Sequence, residues 1–220
     1  MIDLHAHSLL SDGELLPAEL ARRAKVKGYS VIGISDHADH TNIENVVTSI
    51  LKITKYGNYH EGITILPGVE ITHVPKGLIK GLIRFARELG ILYVVVHGET
   101  IAEPVEEGTN REAVEGGADI LAHPGLITEE DVMLAKENCV LLEISGRKGH
   151  SLANGHVARL AEKHGAKLTF NTDSHSPSDL VSKEQARKVV LGAGLTGDAF
   201  RAMQNNAFDL MREVVKRKQK

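Results

Sequence analysis

Asp3-Leu4-His5-Ala6-His7 opens the chain with an apolar strand start that runs out into two imidazoles. In a strand, residues two apart face one side, so His5 and His7 point together. A doubly wound sheet that binds nucleotides would place a glycine-rich phosphate loop here. Histidines stand there instead, and packing does not require them. Two later stretches have the same character: Ser35-Asp36-His37 and Asp173-Ser174-His175 each follow an apolar run. Strand ends of an α/β protein share one rim, so residues far apart in sequence converge there.

Outward from these motifs, short apolar runs alternate with amphipathic segments. Strands are predicted over 2–5, 31–35, 64–71, 92–97, 120–123, 140–144 and 167–171. Pro17 starts a helix that Gly28 closes, and the pattern repeats from Pro75 to Gly90. Thr128 before Glu129-Glu130-Asp131 reads as an N-cap, residues 155–164 read as a helix, and Ser182 to Gln185 has capping-box spacing. Two more helical patterns, from Asp198 and from Asn206, finish the chain. Near-continuous Val, Ile and Leu strands between helices predict a parallel α/β sheet closed, or nearly closed, into a TIM-like barrel. An open doubly wound sheet is the second choice.

The 220 residues suffice for one sizeable core, and residues 1–220 are read as one domain. A net charge of -3 argues against a general binder of nucleic acid, and the basic end from Lys216 to Lys220 reads as a solvated helix terminus. The single cysteine, Cys139, excludes an intrachain disulfide and is expected to be a small buried residue. No apolar run approaches the roughly 20 residues that span a bilayer. The start lacks a basic, apolar leader, so no membrane partner is expected and a reducing cytoplasm fits.

Polar residues interrupt the C-terminal strand ends throughout: His5, His7, Asp36, His37, Glu70, His97, His123, Asp173 and His175. Imidazoles and carboxylates buried at a barrel mouth are costly unless paired or metal-bound. Histidine with carboxylate and no thiolate suits zinc, manganese or iron and disfavours calcium. The ligands exceed the needs of one tetrahedral ion, so two or three divalent ions are expected. Glu70 can bridge two of them.

In order and rhythm the sequence resembles the PHP (polymerase and histidinol phosphatase) family of metal-dependent phosphoesterases. The resemblance rests on Asp3-Leu4-His5-Ala6-His7-Ser8-Leu9-Leu10-Ser11-Asp12-Gly13, Ile34-Ser35-Asp36-His37, Glu70, His97, His123 and Asp173-Ser174-His175. It implies a distorted (β/α)7 barrel with the metal site at the C-terminal strand ends. It also implies three ions: His5, His7, Glu70 and Asp173 at the first; Glu70, His97 and His123 at the second; Asp12, His37 and His175 at the third. Some family members have histidine where Asp12 falls.

The resemblance implies hydrolysis of a small phosphate ester, such as histidinol phosphate or a nucleotide, and the ligand set is expected to act through a metal-bridged hydroxide. Asp173 and His175 are the catalytic candidates for proton transfer. Arg147, with Lys148 and His150 beside it after the sixth strand, is the candidate for holding the small phosphorylated substrate. Asp3 is expected to orient a ligand histidine or to cap backbone groups. His40 is a candidate for the pocket wall, His73 is ambiguous, and His60, His156 and His164 are expected to be solvated. Two other readings compete: an amidohydrolase-like binuclear hydrolase, and a metal-stabilised domain without catalysis.

Overall fold

The apolar runs form strands because Val, Ile and Leu dominate them and both faces of each are covered. In the computed structural model, which describes residues 1–55 and 61–217, the strands are β1 (Ile2–Asp3), β2 (Val31–Ile34), β3 (His37–Ala38), β4 (Thr64–Ile71), β5 (Tyr93–His97), β6 (Ile120–Ala122), β7 (Leu141–Ser145) and β8 (Leu168–Asn171). All pair in parallel, in the order β1-β2-β4-β5-β6-β7-β8. β3 continues β2: β2 pairs with β4 up to Ile34↔Pro67, and after a break at Ser35-Asp36 the pairing resumes at His37↔Glu70. Seven positions therefore surround the axis. A bridge between Ala6 and Ser174 joins the first position to the last, with His7 N donating to Ser174 O and Asp173 N to His5 O, each at 2.9 Å. The predicted seven-position, TIM-like barrel is what forms.

The helices are α1 (Pro17–Val26), α2 (Ile43–Lys55), α3 (Lys76–Glu88), α4 (Thr109–Glu115), α5 (Glu129–Glu137), α6 (Asn154–His164), α7 (Lys183–Gly192) and α8 (Gly197–Arg217). Thr128 and Ser182 cap α5 and α7, accepting from Asp131 N and Gln185 N as their spacing predicts. Two helices have no counterpart in the sequence reading. α2 is rich in β-branched residues, yet Ile43, Val46, Val47, Ile50 and Ile53 are buried at helical spacing. α4 is only seven residues long and follows Gly108, whose φ is 94°.

The two predicted C-terminal helices are one. Asn206 does not break α8, because its Nδ2 donates to Leu168 O and anchors the helix beneath β8. Gln204, two residues earlier, accepts from Ile2 N at 2.7 Å and donates to Ile2 O at 2.9 Å, serving the short β1 as a substitute strand. α8 thus stoppers the barrel from below. Its Ala207, Leu210 and Val214 pack with Leu4, Leu66, Tyr93, Val95, Ile120 and Leu141.

Tyr93 fills the middle of the barrel and donates to Leu4 O at 2.8 Å. Gly33 and Gly68 lie under its ring: a Cβ at either would come within 2.2 and 2.3 Å of Tyr93 atoms. Cys139, expected inside, is exposed; it takes a left-handed φ of 58° in the turn that ends α5, which swings its side chain outward. His60 and the tail beyond Arg217 lie outside the described residues. Among the described residues no helix is long and apolar enough to cross a membrane.

Candidate metal centre

Strand parity delivers the site. Along β4, Leu66 and Gly68 contact the interior, so Glu70 emerges on the same face at the rim, fully buried. Along β5 the series is Tyr93, Val95, His97, and along β7 it is Leu141, Glu143. His123 and Asp173 leave their strands with φ of 26° and 51°, left-handed values that cost a side chain about 1–3 kcal/mol and cluster at functional sites. Asp36 fixes the loop carrying Asp12, accepting from Ser8 N, Ser8 Oγ and Ser11 Oγ at 2.7–2.8 Å.

All nine predicted ligands converge. Glu70 Oε1 lies 3.4 Å from His5 Nε2, 3.3 Å from His97 Nδ1 and 3.8 Å from His123 Nε2. Asp173 Oδ1 lies 3.1 Å from His7 Nε2 and 3.7 Å from His5 Nε2. At the outer side, Asp12 Oδ1 is 3.3 Å from His175 Nε2 and 3.6 Å from His37 Nε2. The ring of His7 sits 4.1 Å from those of both His37 and His175. Metal–ligand bonds of about 2.0–2.1 Å give a tetrahedron with edges of about 3.3–3.4 Å, so these donor separations suit shared cations.

Four groups able to hold an ion overlap here: His7, Asp12, His37 and His175; His5, His7 and Glu70; His5, His123 and Asp173; and His37, Glu70 and His97. In these groups His123 also stands beside Asp173 and His97 beside His37, with Glu70 Oε1 against His5, His97 and His123 and Oε2 against His37. The donor set fits divalent ions on a further count. His5 Nε2, both nitrogens of His7 and His97, His123 Nδ1, Glu70 Oε1 and Asp173 Oδ1 are buried without a hydrogen-bond partner. They are most of such side-chain atoms among the described residues, and native proteins rarely leave so many unsatisfied.

Protonation follows the crowding. Burial, reinforced by neighbouring imidazoles, holds His7 and His123 well below the usual histidine range. At His5 burial is outweighed by the carboxylates of Glu143, Asp173 and Glu70, so its pKa rises. Burial likewise opposes, and Glu103 and Glu70 overcome, at His97, which rises to about 9. Burial pushes Asp173 up to about 7. Protons here substitute for cations that the same lone pairs would bind.

Several partners of the ligands carry no motif. Glu143 Oε2 is 2.8 Å from His5 Nδ1, an arrangement that turns Nε2 inward, while His37 Nδ1 lies 2.6 Å from Thr72 Oγ1 and 2.5 Å from Glu70 Oε2. Glu143 had a signal in the sequence, a carboxylate in register with Leu141 inside a buried strand. Glu103, on the loop after β5, had none. Asp3 accepts from His5 N, Thr172 N and Thr172 Oγ1, so it caps backbone rather than orienting an imidazole.

A cavity of about 420 Å³ opens above the centre, lined by Asp12, His37, His97, Arg147, His150, Asp173 and His175 among others. Arg147 Nη1 donates to Asp173 O at 3.1 Å and also meets His175 Nδ1. His150 is buried, with Nδ1 2.7 Å from Thr100 Oγ1. Lys148 points to solvent and does not line the cavity, because the chain turns at Gly149 with a φ of 86°. His40 is also exposed and outside the cavity wall. His156 and His164 are half-buried instead of solvated, paired with Ile127 O and Glu129.

An uncharacterised protein of Methanocaldococcus jannaschii is 45% identical over 218 residues, covering 98% of each chain. A protein of Thermoanaerobacter sp. named "Probable phosphatase" is 28% identical over 231 residues, covering 90% of this chain and 88% of its own. Among solved structures, a chain of archaeal ribonuclease P with mature tRNA shares the fold, with a TM-score of 0.70 and 16% identity over 96% of this chain and 90% of that one. The family model of the PHP domain matches residues 3–219. The chain belongs to the PHP domain family.

Proposed function

We propose that the chain is a metal-dependent phosphoesterase that hydrolyses a small phosphomonoester in the cavity at the barrel mouth. The observation that carries this reading is the convergence of His5, His7, Asp12, His37, Glu70, His97, His123, Asp173 and His175, with their orphaned lone pairs, beneath a cavity edged by Arg147. The family and the phosphatase names of relatives support the reaction class. Two or three zinc, manganese or iron ions would supply Lewis acidity and bring the pKa of water from 15.7 down toward about 7.

The protein's own groups do the rest. Arg147 is braced by Asp173 O, which fixes its planar fork at the cavity wall, where it can take two phosphate oxygens. His150, anchored by Thr100, presents Nε2 to the same space. Asp173 and His175 line the cavity, which supports them as the candidates for passing a proton to the departing oxygen. Seven barrel positions favour this reading over an amidohydrolase-like one, for which an eighth is expected. The test is reconstitution with zinc or manganese followed by assay on p-nitrophenyl phosphate, a phosphodiester and a cyclic amide. Hydrolysis of the monoester is expected. A protein holding two or more metal equivalents yet inert on every phosphate ester would sink the proposal.

A further inference from the structure

His73, just beyond β4, stands outside the nine residues proposed above. Its φ is 51°, a left-handed value that costs a non-glycine residue about 1–3 kcal/mol and persists only where surroundings hold it. With this backbone its Nε2 lies 3.2 Å from Glu103 Oε2. The same oxygen is 3.2 Å from His97 Nε2, and Glu103 Oε1 is 3.4 Å from His150 Nε2. His97 is 3% exposed, and neither of its ring nitrogens makes a hydrogen bond of sound geometry. A buried lone pair thus faces a carboxylate and a second imidazole. Both separations match the edge of a tetrahedron built on metal–ligand bonds of about 2.0–2.1 Å.

We propose that His73, His97 and Glu103 form a further cation site on the lip of the cavity, taking a zinc-type divalent ion through Nε2 of each histidine and Oε2 of Glu103. Two imidazoles and one carboxylate suit zinc or cobalt and disfavour magnesium and calcium. His73 and Glu103 keep side-chain exposures of 44% and 38%, so the site is open to solvent and weaker than the buried groups below it.

Its consequence rests on the reading of the centre given above. His97 turns Nδ1 inward, 3.3 Å from Glu70 Oε1, and Nε2 outward. A neutral imidazole has one free lone pair, so the tautomer that serves the outer ion carries a proton on Nδ1 and is lost to an inner one. Filling the lip site therefore withdraws a ligand from the centre and inhibits it.

The experiment compares the full chain with Glu103→Gln and His73→Gly, the latter chosen because glycine adopts the left-handed φ freely. Cobalt is titrated into stripped protein, with visible absorption and equilibrium dialysis as readouts. The wild type is expected to bind one weaker equivalent more than either variant. Zinc added beyond the tight equivalents should lower wild-type p-nitrophenyl phosphate hydrolysis about tenfold and leave both variants at their starting rates. Equal stoichiometry and affinity in all three proteins would overturn the site. Loss of the weak equivalent with unchanged zinc inhibition would overturn the competition for His97. If the tight equivalents were missing from all three while the weak one still disappeared in the variants, the lip site would stand and the phosphoesterase reading would fall.

Discussion

Glu143→Gln separates the charge of the buried carboxylate from its shape. Glu143 is fully buried, with Oε2 2.8 Å from His5 Nδ1 and accepting from Asn171 Nδ2 at 2.9 Å. A proton on Nδ1 leaves the Nε2 lone pair of His5 facing Glu70 Oε1 and Asp173 Oδ1 at 3.4 and 3.7 Å. Glutamine with its amide oxygen in the place of Oε2 keeps both hydrogen bonds, so the tautomer and ring orientation survive. The negative charge is lost. The amide nitrogen also falls where Oε1 has no partner, leaving an unsatisfied donor at a cost of about 1–3 kcal/mol.

Mutation of an outer partner of a metal-bound histidine typically lowers metal affinity about 10–100-fold, or about 1.4–2.7 kcal/mol. That range is the expected weakening of the tightest zinc equivalents in Glu143→Gln, with turnover largely restored at saturating metal. Competition against a chromophoric chelator at fixed pH measures it. Glu143→Ala, which removes the acceptor for both His5 and Asn171, should weaken binding further and lower the denaturant midpoint. A Glu143→Gln protein that binds zinc as tightly as the wild type would refute the reasoning.

Three further outcomes are expected. The pKa of His97 is raised from 6.5 to about 9, so in metal-stripped protein its proton stabilises the fold fully below pH 6.5, and that contribution is lost as pH rises through 9. Metal needs the unprotonated ring, so affinity should climb across the same window with proton release, read by calorimetry in buffers of different ionisation enthalpy; a flat profile contradicts it. Gly68→Ala would drive a Cβ to within 2.3 Å of the Tyr93 ring and should cost at least the roughly 1–3 kcal/mol of an overpacked core, seen as a lower denaturant midpoint. Arg147→Lys should raise KM for a phosphomonoester about tenfold, about 1.4 kcal/mol, with a smaller effect on kcat, because lysine lacks the planar fork; an unchanged KM removes Arg147 from the substrate site.

What could be read from the sequence was whatever a period of two or a short motif records. Leu66, Gly68 and Glu70 share one face of β4, and Tyr93, Val95 and His97 share one face of β5, so knowing that the apolar members face inward places the polar one at the rim. The same rule applies to Glu143 through Leu141, but a lone carboxylate carries no motif, and Glu143 is not among the residues predicted from sequence. Loops obey no such rule. Arg147 and Lys148 are neighbours in sequence, yet one braces against Asp173 O and the other faces solvent, a difference set by the turn at Gly149. Glu103 reaches three histidines from a loop whose path depends on tertiary contacts such as Glu99 Oε1 accepting from Gly108 N and Asn110 N.

The division has a physical cause. Strands position side chains through hydrogen-bonded register, which repeats and so leaves a trace in sequence. Loops position them through single side-chain contacts, which do not repeat. The floor of this centre is built by strands and its lip by loops. Chemistry common to the family therefore belongs to the legible part, and the proposed substrate contacts and lip cation site rest on the loops that carry Arg147, His150, His73 and Glu103.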